Sequence, residues 1–384
     1  MRPVSIAATR KRAIVAVLAL ASIAAACGSS TKSGTSATTA AGAGTTVVAA
    51  ATSAAAGTTT AGGTATAGTT AAGSTAAGTT VAAPAGPITT YPAGSNAAIS
   101  LAVNPWTGSA VDANVAKIVL EKYLGTATTL TDIDENAAWT GLDTGSLDAN
   151  LEIWPSGHVP DYATYITQKK TVVDLGKLGP VAKIGWYVPS YVIDEHPALA
   201  TVDGFKDPAN AKLFATAETG DLGQFLMGDP SYVSYDAEII KNLNLPLKFV
   251  VAGSEAAEIT AIQKAIADHK PLLFQFWQPQ WLQSQVKLTE VKLPAVTPAC
   301  TASAAAKDGK YACDYPPDLL YKAANAKLAT KNKVAFAFLS KFQLTTDQQN
   351  EISTDIDQNK MDPAAAAQKW VAANQAVVAA WLAA

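Results

Sequence analysis

Phe274-Gln275-Phe276-Trp277-Gln278-Pro279-Gln280-Trp281 is the stretch whose reading decides the fold. Its approach, Leu272 to Phe276, predicts a buried strand, and Pro279 cannot donate to a sheet ladder, so the strand ends with tryptophans on either side of a proline. Far upstream the design repeats. Leu151 and Ile153 lead into Trp154-Pro155-Ser156-Gly157-His158, again an aromatic residue followed at once by proline. Strand cores favour Leu, Ile and Val, whereas tryptophan is placed where a large flat face must meet something. The two strand-end tryptophans therefore mark a recognition surface.

Outward from these stretches, strands and helices alternate. Ala98 to Val103 predicts a strand, Asn104 to Ser109 a turn carrying Trp106, and Ala110 to Leu124 an amphipathic helix. The start of that helix, Gly108 to Ala110, offers N–H groups that could cradle a carboxylate, with plain helix capping as the alternative. A short helix over Gly141 to Ala149 feeds the strand that delivers Trp154. Tyr162 to Ile166 reads as helical and is followed by a polar loop to Gly179-Pro180. Ala182 to Val188 is a strand closed by Pro189, and its change of register suggests a crossing into a second lobe. Gly228-Asp229-Pro230-Ser231-Tyr232 forms a turn before a helix from Asp236 to Leu243. Lys248 to Val251 is a strand, and Ser254 caps a helix from Glu255 to Asp268 that leads into the Trp277 strand. Beyond Val291 comes a loop with two cysteines, then a run read as almost wholly helical from Asp318 to Leu382, in which Trp370 and Trp381 are expected to pack as core or cover. The alternation points to an α/β fold.

The first part of the chain is different. Residues 1–27 read as a bacterial lipoprotein signal: Arg2, Arg10, Lys11 and Arg12 precede an apolar run, and Ala24-Ala25-Ala26-Cys27 resembles a lipobox with Cys27 as the lipidated residue. The run is too short to remain as a membrane span. Residues 28–95 are mostly Ala, Thr, Gly and Ser, with Lys32 as the only charge and Tyr91 as the first aromatic. Such a segment buries too little apolar side chain to offset its ordering entropy and is expected to be a disordered tether spanning on the order of 45 Å.

Charge and motifs exclude several functions. With 28 basic and 31 acidic residues, a net charge of −3 and no basic stripe, nucleic acid is not an expected partner. Cys300 and Cys313, close in an exported chain, are expected to form a disulfide. Only three histidines exist in the chain, none beside the cysteines, and no metal site or cofactor is expected. Asp347, Asp355 and Asp357 read as a solvated helix face. Nucleophile-elbow and zinc-protease motifs are absent from the sequence, and His158 near Asp161 reads as a hydrogen-bonded pair rather than half a catalytic dyad. A non-enzyme is expected, an exported hydrolase being the enzymatic alternative.

From about Ile99 to Leu382 the chain resembles the substrate-binding proteins of glycine betaine/choline-type (quaternary ammonium) ABC transporters, the ProX and OpuAC group. The resemblance rests on Glu135 to Tyr162 around Trp154-Pro155, on Ile184-Gly185-Trp186-Tyr187-Val188-Pro189-Ser190-Tyr191, on Lys270 to Trp281, and on Phe342-Gln343-Leu344-Thr345-Thr346-Asp347. It implies a two-lobed type II periplasmic-binding-protein clamp, each lobe a mixed sheet flanked by helices, with lobe I at 96–183 plus 291–384 and lobe II at 184–290. It further implies an exported lipoprotein, held to the outer face of the cell membrane through Cys27, that delivers its ligand to an ABC permease.

The resemblance maps Trp154 and Trp277 onto an aromatic cage. Tyr232 is the third wall, in preference to the position of Leu344 that a second subgroup fills with tryptophan. Trp106 and Trp281 are possible further members. Val233 and Ser234 replace a glycine and a cysteine of the first subgroup, which puts backbone contacts to a ligand carboxylate in question there. The cage has its own physical reason, because a quaternary ammonium has no N–H to donate and its diffuse charge is best met by ring faces. For the ligand's other end the candidates are Ser109, His158, Ser231 and Ser234, each with an ordinary structural role as the alternative. Carnitine, proline betaine or ectoine as ligand, and a sensor with the same clamp, are the competing readings.

Overall fold

The computed structural model describes residues 96–383. The expected signal (1–27) with Cys27 and the expected tether (28–95) lie outside the described residues. Among the described residues nine strands are present: β1 (Ile99–Val103), β2 (Thr128–Asp132), β3 (Ala149–Ile153), β4 (Val172–Pro189), β5 (Gly223–Met227), β6 (Leu247–Val251), β7 (Leu273–Gln278), β8 (Leu288–Val291) and β9 (Asp318–Asn325). They run in the order β2-β1-β3-β9-β4-β7-β5-β6, with β8 also on β4.

β4 carries both sheets. Its first part, Val172 to Ala182, pairs antiparallel with β9, and its last part, from Lys183 on, pairs antiparallel with β7 and β8. On the first side β1 is parallel to β2 and β3, and β3 is antiparallel to β9. On the second side β5 is parallel to β6 and β7. Each half is thus a mixed sheet flanked by helices.

Local chemistry explains the elements around the site. Helix α1 (Thr107–Leu124) buries Val111, Val115 and Val119, four residues apart and so on one face, and stops at Gly125 in the left-handed conformation (φ 61°). β7 lies between β4 and β5, and Leu273, Phe274 and Phe276 are wholly buried, which at about 2 kcal/mol or more per large apolar side chain makes it the anchor of its sheet. Cys300 and Cys313 stand in bonding contact with their Cα atoms 6.2 Å apart.

Two expectations change. The polar loop expected before Gly179-Pro180 is strand, because β4 already starts at Val172. Register shifts at Asp174/Gly176 and Lys177/Val181 break the alternation that would have shown it. Gly179 (φ +132°) comes so close to the chain that a Cβ would lie 2.1 Å from the Leu344 carbonyl oxygen. The helical reading from Asp318 also fails, since 318–325 is β9. Its centre is Lys322, wholly buried, whose Nζ donates to the carbonyls of Leu339 (2.8 Å), Ser340 (3.3 Å) and Phe342. These carbonyls close the helix Lys333–Lys341, where the helix dipole favours a cation. Burial lowers the lysine pKa to about 8. Cys300, Ala304, Tyr311, Cys313 and Tyr315 pack with Trp186, Phe205 and Phe225 in the second half's core, so the chain stays there past 291 until β9 begins. Trp370 and Trp381 are buried in the largest core cluster, their ring centroids 6.1 Å apart.

Candidate functional site

Four aromatic residues follow the ends of strands and meet in one pocket. Trp106 follows β1, Trp154 follows β3, Tyr232 stands in the turn after β5, and Trp277 is near the end of β7. All four line a cavity of about 510 Å³, open mouth included. Ligands in open α/β sheets bind beyond the carboxyl ends of the strands, which is where these rings converge. Tyr232 stands edge-on to both Trp106 (5.9 Å, 73°) and Trp277 (5.5 Å, 86°). Adjacent walls at nearly right angles make a corner rather than a stack. The Tyr232 hydroxyl donates to the Pro105 carbonyl at 3.2 Å, tying the wall to the opposite half.

One carboxylate oxygen holds two of the rings. Glu152 Oε1 accepts from the indole N–H of Trp106 (2.8 Å) and of Trp154 (3.0 Å), while Gln349 donates to Glu152 Oε2 (3.0 Å) and to Asp112 (3.2 Å). Burial pushes both carboxyl pKa values up, and Asp112 is raised further by the charge of Glu152 beside it. Glu152 accepts from three N–H donors, which favours its charged form, whereas Asp112 accepts only from Gln349. At Gly108 a Cβ would lie 2.8 Å from Glu152 Oε2, so the first turn of α1 needs glycine there to settle over the carboxylate.

A second polar relay fixes the wall opposite. Glu135, at the start of α2 (Glu135–Thr144), lines the pocket. Its Oε1 accepts from the Val233 backbone N–H (2.5 Å), and its Oε2 lies 2.7 Å from His158 Nε2. His158 Nδ1 lies 3.0 Å from Asp161. Burial opposes the imidazolium charge, but hydrogen bonds to Asp161 and Glu135 outweigh it and raise the pKa to about 9. The Trp139 indole N–H also lies 3.1 Å from Nδ1, so Trp139 and Asp161 meet at the same ring nitrogen, as donor to its neutral form and acceptor from its protonated form respectively.

The other residues singled out from sequence lie elsewhere. His158 sits behind the Glu135 wall and does not line the cavity. Ser109 is buried, its Oγ accepting from Asn104 N–H at 2.8 Å. Ser231 closes its own turn through Asp229 Oδ1, and Ser234 Oγ accepts from Asp236 N–H. The indole N–H of Trp281 donates to Asp357 Oδ2 at 2.7 Å, and this ring lines a smaller neighbouring pocket with Thr107 and Glu255. The anion site at the start of α1 is filled from within, since Thr107 N–H donates to Glu255 Oε2 at 2.7 Å. Leu344 is buried in the core. The lining residues not singled out are Glu135, Ser156, Gly157, Ile184, Val233, Tyr235, Gln275 and Tyr315. Of these Gln275 was findable, because strand alternation puts it on the same face as Trp277.

Comparison with known proteins adds to this geometry. The profile of the substrate-binding domain of the ABC-type glycine betaine transport system (OpuAC) matches residues 97–373. The trimethylamine N-oxide-binding protein of Pelagibacter ubique (strain HTCC1062) is 26% identical over 295 residues, 74% of this chain and 90% of that one. Lactococcal OpuAC in its closed form with glycine betaine superposes with a TM-score of 0.59 at 23% identity, covering 74% of this chain and 99% of that one. An ABC-transporter choline-binding protein in complex with choline gives 0.60 at 19% identity, covering 76% of this chain and 93% of that one. The fold is the two-lobed type II binding-protein clamp that these structures share.

Proposed function

Since this chain belongs to the family of substrate-binding domains of ABC-type glycine betaine transport systems, we propose that it captures a trimethylated ammonium solute among Trp106, Trp154, Tyr232 and Trp277. The carrying observation is the convergence of four ring faces from both halves on one cavity whose lining contains no Lys, Arg or His. Rings attract a cation that has no N–H, and no lining cation opposes it. Four desolvated faces at about 2 kcal/mol each amount to about 8 kcal/mol before the costs of association, while micromolar affinity also needs about 8. Contacts to the ligand's other end must offset those costs.

The change of partner along β4, from β9 up to Ala182 to β7 and β8 from Lys183 on, supports lobes divided as 96–182 plus 318–384 against 183–317. In this reading the lobes close on the solute and present it to a membrane permease, with lipid on Cys27 and the tether keeping the clamp at the outer face of the membrane. The test is intrinsic tryptophan fluorescence titrated with glycine betaine, choline, trimethylamine N-oxide and carnitine, with glycine as the unmethylated control. A saturable change for at least one methylated solute and none for glycine is expected. A flat response to the whole panel would remove the cage.

A further inference from the structure

Within the cage reading, the ring faces hold the methylated head and leave the ligand's other end to the pocket's polar groups. Nearly all of these are engaged internally. Glu135 is held by Val233 N–H and His158. The Ser156 hydroxyl donates to Asp318 (2.6 Å), the Tyr235 hydroxyl to the Ser156 carbonyl (3.1 Å) and the Tyr315 hydroxyl to Asp236 (2.8 Å).

Of the backbone donors in 156–158 and 231–236, all but Ser234 N–H are engaged as well. Ser156 N–H donates to Asp318, Gly157 N–H to the Trp154 carbonyl and His158 N–H to the Pro155 carbonyl. Across the cavity, the N–H groups of Ser231, Tyr232, Val233, Tyr235 and Asp236 donate to Asp229 Oδ1, the Asp229 carbonyl, Glu135, the Tyr315 hydroxyl and Ser234 Oγ.

Gln275 is different. It lines the cavity on the same face of β7 as Trp277, is 2% exposed, and its Oε1 has no hydrogen-bond partner. Rotation of the amide presents either a donor or an acceptor at that spot. A carboxylate taken into such a site needs a cation or several convergent N–H groups, and it would approach Glu135 besides. A single alcohol or N-oxide oxygen needs only what one amide supplies.

We infer that Gln275 reads the ligand's polar end and that the pocket selects a trimethylammonium solute ending in one alcohol or N-oxide oxygen over one ending in a carboxylate. This rests on the cage reading, and tetramethylammonium, which has the head and no oxygen, separates the two. Calorimetric titration of the intact protein with tetramethylammonium, choline, trimethylamine N-oxide and glycine betaine is the measurement, repeated for Gln275→Leu and Gln275→Met. The better of choline and trimethylamine N-oxide is expected to bind the parent at least tenfold tighter than either tetramethylammonium or glycine betaine. In both variants its advantage over tetramethylammonium should fall to within twofold, with tetramethylammonium affinity unchanged. Glycine betaine binding as tightly as the one-oxygen solutes would overturn the inference, as would variants that keep the advantage or lose tetramethylammonium in equal measure. Absence of binding by every methylated compound would remove the cage itself and this inference with it.

Discussion

Trp277 is both a wall of the pocket and the support of Tyr232, 5.5 Å away and edge-on. Trp277→Ala is expected to weaken solute binding at least tenfold while leaving the melting temperature within a few degrees, because the ring borders the cavity and the anchoring side chains of β7 remain; unchanged affinity would take Trp277 out of the cage. His158 gives a second prediction. Its pKa is raised to about 9 from an ordinary 6.5, so its contribution, on the order of 3 kcal/mol, is fully present below pH 6.5 and is lost as the pH rises to 9. Glu255, which burial pushes up to about 7, adds a decline of its own below pH 7, so the informative quantity is the difference from a variant. Melting of the parent and of His158→Gln between pH 6.5 and 9 should converge as the pH rises; a constant gap would mean that His158 is not charged in the fold. At this scale Trp154 and Trp277 were legible, because tryptophan beside a proline at a strand end has few other uses. The polar residues were not. Sequence shows that Ser109 and His158 lie near the loops, but only packing shows that their hydrogen bonds run away from the cavity.

Among the elements, β7 and α1 were readable because each keeps a dominant pattern: an apolar run interrupted only by Gln275 before its last residue in one, a four-residue repeat in the other. β4 and β9 were not. Bulges interrupt β4, and β9 has at its centre a lysine whose presence in a buried strand depends on three carbonyls from a helix that follows it in the chain. The segment between Cys300 and Tyr315 carries no periodicity and is positioned by its side chains in the second core. That segment yields a prediction. The Cys300–Cys313 bridge spans 13 positions, and closing so short a loop is worth about 3 kcal/mol in the unfolded chain. Cys300→Ser with Cys313→Ser should lower unfolding free energy by about that amount, measured by denaturant titration, and the native exported protein should titrate no thiol at this pair. Two reactive thiols would refute the bridge.

For the molecule as a whole, the two halves meet through bonds as well as rings: Tyr232 to Pro105, Val233 to Glu135, Tyr235 to Ser156, and Thr107 to Glu255. A solute caught between them must favour this closed arrangement over the unfolded chain, so at a hundredfold excess over Kd it should add about 2.7 kcal/mol of stability. The check is a melting curve with and without the preferred solute, and a solute that binds without raising the melting temperature would argue against capture between the lobes. The α/β alternation was legible from the residues themselves, and the two-lobed plan from the resemblance to a known family. The strand order also has a consequence for how the protein is made. β9 lies between β3 and β4, yet it emerges about 165 residues after β3 ends, roughly 10 to 30 s later at ordinary rates of synthesis. Throughout that interval both neighbouring strands carry an open edge, the kind that recruits other chains. The newborn polypeptide is thus at its most vulnerable late in translation, and a ribosome that stops before Asp318 releases a product that cannot complete its first sheet.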